Sequence, residues 1–73
     1  MKKYFKVGLR PVFYKQLNKE SFVYVFNWET GDFFDDFRYY KKIFSGLYAD
    51  ETEEISKEEF DSYVKQLKKE RGL

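Results

Sequence analysis

The sequence predicts an α+β fold: a small antiparallel β-meander of three to four strands packed against a C-terminal amphipathic helix, with a second short helix at about residues 35–45. Three observations carry this prediction. Ser56 and, three residues on, Glu59 form a capping box, in which the serine oxygen and the glutamate carboxylate each satisfy a backbone N–H that a helix start leaves unpaired. Residues 22–28 are all β-branched or aromatic except Asn27, the strongest strand signal in the chain. Nine Phe, seven Tyr and one Trp supply rings that each bury roughly 150–250 Å², so the core of this 73-residue chain is built from aromatics. A chain of this length makes one domain, over residues 1–73, and hides only roughly 60% of its unfolded surface.

Taken in order, residues 4–9 are rich in strand formers and predict a first strand, with Gly8 marking a bulge or a close backbone approach. Arg10 and Pro11 break or bend the run, because proline has no N–H for a ladder. Residues 12–17 set Phe13, Lys15 and Leu17 against Val12, Tyr14 and Gln16, a second strand. Residues 18–21 are polar and turn-forming. The third strand, residues 22–28, points Phe22, Tyr24, Phe26 and Trp28 to one face and Val23, Val25 and Asn27 to the other, as a central strand does. Residues 29–32 form a turn with Gly31 available for a positive φ, and Phe33 and Phe34 pair back as a short strand.

Residues 35–45 are ambiguous. Asp35 or Asp36 can cap a helix, Phe37, Tyr40 and Phe44 then share a face with Ile43 adjoining, and Gly46 sits where a helix commonly ends. The alternative is an edge strand through Phe37, Tyr39, Lys41 and Ile43. Leu47 and Tyr48 lead into an acidic loop, residues 50–54, with residues 52–55 a short edge strand that feeds the staple. The terminal helix buries Phe60, Tyr63, Val64 and Leu67, turns Lys57, Glu58, Asp61, Lys65, Lys68 and Lys69 to water, and is stapled by Ile55 against Phe60.

Residues 24–33, Tyr-Val-Phe-Asn-Trp-Glu-Thr-Gly-Asp-Phe, followed by residues 53–60, Glu-Glu-Ile-Ser-Lys-Glu-Glu-Phe, resemble small uncharacterised bacterial proteins. These have a strand, a Glu-Thr-Gly turn, an aromatic strand, a short variable helix and a Glu-Ile-Ser-capped terminal helix. The resemblance spans roughly residues 12–70 and implies the same order of elements, with no activity attached.

Function is bounded by exclusion. With no Cys and no His, nucleophilic and general-base chemistry would need a carboxylate, lysine or tyrosine with a strongly shifted pKa. The nearest cluster, Asp32, Asp35 and Asp36, is explained by helix capping and a solvated turn. The four glycines are isolated and build no phosphate loop. Asp50, Glu51, Glu53 and Glu54 lack the ligand pattern of an EF-hand, so no metal and no cofactor are expected. No apolar run has the length of a membrane span, and the Lys-Lys start lacks the apolar stretch of a signal peptide, which predicts a cytoplasmic protein.

These exclusions predict a non-enzymatic intracellular protein, either a protein-interaction module or a self-associating subunit, offering Tyr14, Tyr24, Phe26 and Trp28 as its surface. Two helices side by side on one face of the sheet would leave the other face, or an edge, for a two-fold dimer to bury. The alternative is a single-stranded nucleic-acid-binding domain. Residues 1–31 carry six basic and two acidic side chains, and Lys2, Lys3, Lys6, Arg10, Lys15 and Lys19 are interleaved with aromatics. Against it stand the net charge of only +1 and the need for those rings in the core.

Overall fold

In the computed structural model, which describes residues 1–46 and 49–73, one antiparallel sheet organises the chain. Its strands are β1 (Lys2–Val7), β2 (Arg10–Leu17), β3 (Glu20–Phe26), β4 (Phe33–Asp35) and β5 (Thr52–Ile55), with helices α1 (Tyr39–Phe44) and α2 (Lys57–Arg71). The spatial order is β4-β3-β2-β1-β5. The first four strands form a meander, and the chain then crosses the sheet through α1 to add β5 beside β1 at the opposite edge. The predicted lead-in at Leu47 and Tyr48 lies outside the described residues.

Two-residue hairpins set the register. Gly8 is not a bulge within a strand: it takes φ +61° in the turn that ends β1 at Val7, and Asn18 takes φ +58° in the turn between β2 and β3. Pro11 lies inside β2 rather than breaking it. Leu17 and Glu20 close the β2–β3 hairpin, so alternate pairs from there onward are hydrogen-bonded, and Pro11 falls opposite Phe26 in such a pair. Pro11 has no N–H to give, and the Arg10 guanidinium donates to the Phe26 carbonyl instead, Nε to O 2.7 Å.

The third strand ends at Phe26, two residues earlier than predicted, because Asn27 turns the chain. Its Oδ1 accepts the N–H groups of Glu29 and Thr30, and its backbone pairs with Asp32 and Gly31. Gly31 supplies the positive φ, +79°, and lies under Lys68 and Leu73, where an added Cβ would come within 3.1 Å of Leu73.

The two helices cover opposite faces of the sheet, not one. Neighbouring residues on a strand point to opposite sides. Tyr4 and Phe13 meet Phe60 of α2, whereas Phe5 and Tyr14 meet Phe44 of α1. The α1 side holds the tightest packing, with Phe5, Val7, Val12, Tyr14, Val23 and Val25 buried beneath Tyr39 and Ile43. The face that a sheet-mediated dimer was expected to cover therefore carries α1, whereas the other expected surface, an unpaired edge, is offered by β4 and β5.

α2 follows its sequence closely. The Ser56 Oγ accepts the Glu59 N–H at 3.1 Å, and Ile55 and Phe60 are both buried. Leu67 is buried, while Tyr63 and Val64 are half-buried. Gly72 ends the helix at φ 71°, and Leu73 N–H returns to the Lys68 carbonyl.

Candidate interaction surfaces

α1 is six residues long and buries none of them completely. It is held from its start. Asp36 N–H pairs with the Val23 carbonyl, and the Asp36 carboxylate, almost wholly buried, accepts the Arg38 N–H and two further bonds from the Arg38 guanidinium at 2.9 and 2.8 Å. Asp36 thus shapes the β4–α1 junction rather than capping the helix, whose first flanking residue is Arg38. The guanidinium holds the Asp36 carboxyl below the usual carboxylate range. Asp35, the other predicted cap, lies in β4 opposite Tyr24.

From that anchor, α1 turns Tyr39 and Ile43 to the sheet. The residues at the predicted helical spacing, Phe37, Tyr40 and Phe44, lie on the outer shoulder. Phe37 and Tyr40 are stacked at 4.9 Å, and Tyr40 meets Phe44 at 4.9 Å. They are 53%, 36% and 40% exposed. Among the described residues, the exposed aromatic rings are these three and Phe34, all from one stretch of chain. A cleft of about 310 Å³ lies between Phe37, Arg38, Tyr40 and Lys41.

The surface residues predicted from sequence divide. Tyr14, 5% exposed, sits under α1 with its hydroxyl bonded to Ser21, and Phe26 is 0% exposed, so neither can meet a partner. Both are drawn inward because the central strands have a helix on each face. Trp28 is half-buried under the Arg71 guanidinium, 4.5 Å from its ring, and its carbonyl accepts from Arg71. Tyr24 alone of the four lies in an open run of rings, between Phe13 and Phe22 at 4.9 and 6.2 Å.

The predicted cations also divide. Arg10 is part of the framework, bonded to Phe26 and to the Tyr39 hydroxyl and lying over the rings of Phe34 and Tyr39. Lys6 lies over the ring of Tyr63, whose hydroxyl donates to the Leu9 carbonyl. Burial pushes the Tyr63 phenol up, which keeps it protonated. Lys2 and Lys15 are cross-strand partners, Lys3 lies on the next residue of β1, and Lys19 is in the adjoining hairpin turn, so these four gather at one end of the sheet.

The exposed stripe of α1 escaped sequence analysis as a surface. Its spacing was visible, but that spacing ordinarily marks the buried side of a helix. Among the described residues no group of three or more carboxylates is placed to hold a metal ion, and no helix is long and apolar enough to cross a membrane. No family model, no curated protein and no solved structure matches this chain.

Proposed function

We propose that this is a small, non-enzymatic, cytoplasmic interaction module that associates with itself through the outer shoulder of α1. The observation that supports this is the exposed ring cluster Phe37–Tyr40–Phe44, in which Phe37 and Tyr40 are stacked and Phe44 is tilted against Tyr40. On a domain this small, rings of that size add most to stability when buried, yet here Phe37 and Tyr40 are turned outward beside Phe44, whose inner side packs on Phe5 and Tyr14. The stripe is suited to a two-fold partner. Opposed antiparallel, Phe37 of one copy meets Phe44 of the other, with Tyr40 near the axis.

The clefts support a non-enzymatic reading. The one beside α2 is lined by Lys6, Glu58, Glu59, Ser62, Tyr63 and Gln66, where Lys6 and Tyr63 are engaged with each other and burial holds the phenol protonated. Sedimentation equilibrium at low and high micromolar concentration tests the proposal. The wild type is expected to shift from about 9 kDa towards twice that mass, and Phe37→Ser with Tyr40→Ser to remain monomeric. A wild type that stays monomeric throughout overturns it.

A further inference from the structure

α2 leaves part of its own face of the sheet bare. It runs from Ile55 and Tyr4 towards the end of the sheet that carries Leu9, Trp28 and Gly31, and its last contacts are made there. The opposite end keeps a row of cross-strand partners, Lys2, Lys15 and Phe22, followed by the row Tyr4, Phe13 and Tyr24. All point to the α2 face, because they alternate with residues buried under α1.

Three features of this end belong together. First, the rings of Phe22, Tyr24 and Phe13 are nearly parallel, with interplanar angles of 22° and 25° between successive rings. Phe22 and Tyr24 are half-buried, and Leu17 beyond them is 56% exposed, so the ladder reaches solvent. Second, the charge is one-sided: residues 1–26 carry six basic side chains and a single acidic one, Glu20. The two cations that the framework uses, Lys6 and Arg10, are those away from this end. Third, the β1–β2 ladder extends to this end, where the Gln16 N–H donates to the Met1 carbonyl at 2.8 Å and holds Lys2 beside Lys15. Asp35, opposite Tyr24 on β4, closes the surface on its far side.

We propose that this end of the sheet binds single-stranded nucleic acid, with Phe22 and Tyr24 as stacking platforms for unpaired bases and Lys2, Lys15 and Lys19 on the phosphates. Every base has a π-face, so a ladder of near-parallel rings bordered by cations holds a strand without reading its sequence. The overall charge of +1 is no obstacle, because most of the carboxylates that offset the lysines lie elsewhere, on β5 and the stretch before it, in the turn before β4 and on α2, with Glu20 and Asp35 the two at this end. The site lies on the face opposite α1 and does not depend on self-association.

The test is fluorescence anisotropy of a labelled oligothymidylate with the full chain, at about 50 and about 200 mM salt. Binding is expected at the lower salt, with a logarithmic salt slope of about −2 for three phosphate contacts. Lys15→Gln should make that slope shallower by about 0.7. Phe22→Leu, which keeps apolar bulk and removes the ring, should weaken binding roughly fivefold to a hundredfold with the slope unchanged. Lys6→Gln should change neither. No binding at the lower salt overturns the proposal, as does equal affinity for duplex DNA or for polyphosphate, or a folded Phe22→Leu variant with wild-type affinity. If Phe22→Leu instead abolishes self-association in sedimentation, the face belongs to a protein partner and the proposal is overturned.

Discussion

Pro11 occupies a position where β2 would ordinarily donate to β3, and Arg10, one residue earlier, makes that bond from its side chain. Removing the guanidinium while keeping the stem isolates the effect. Arg10→Met should leave the buried Phe26 carbonyl without a partner and lower stability by about 1–3 kcal/mol, read from the urea midpoint. In sequence Arg10 looks like a surface cation, because the acceptor it serves is sixteen residues away and appears only when the register is known. Asp36 is a second such case. Its carboxyl is held low by Arg38, so it contributes stability that is fully present above the unfolded value, about pH 4, and is lost as pH falls through the lower folded value. Asp36→Asn should therefore be less stable than wild type at neutral pH. The gap in denaturation midpoint should close on acidification below about pH 4, and a gap independent of pH would remove Arg38 as the cause.

At the scale of elements, legibility follows from how local the signal is. α2 is readable because its cap, its staple and its Gly72 stop are all specified within its own stretch. Phe60→Ala should cost roughly 3–5 kcal/mol, since Phe60 is where Tyr4, Phe13 and Phe33 converge, and wild-type stability would mean that α2 does not rest on the sheet. α1 is harder to read, because Phe37, Tyr39, Tyr40, Ile43 and Phe44 surround a six-residue helix almost entirely with apolar groups. Which of them faces inward is decided outside the helix, by the Asp36 junction and by Arg10 beneath Tyr39. The expected helix at residues 35–45 is accordingly real but shorter, and its exposed shoulder had no signature of its own.

For the molecule as a whole, the α+β class and the alternation along β3 were legible, whereas the side on which each helix packs was not. The chain crosses from the β4 edge to the β5 edge, and nothing in residues 35–55 states which face that crossing follows. The charge asymmetry was visible as a number, and the fold turns it into a place by gathering Lys2, Lys3, Lys15 and Lys19 at one end. The same crossing has a consequence for the order of folding. The four-strand meander is built from neighbours in sequence, whereas β5 joins β1 by pairing Ile55 with Tyr4, which are separated in the chain by the rest of the meander and α1. Closing so long a loop is entropically costly until the meander exists to receive it, so β5 and α2 are expected to dock late, after the rate-limiting barrier. In chevron kinetics the stability lost in Phe60→Ala should then appear almost entirely as faster unfolding, with the refolding rate nearly unchanged. The C-terminal segment would thus act as a latch that governs how long the native state lasts rather than how quickly it forms.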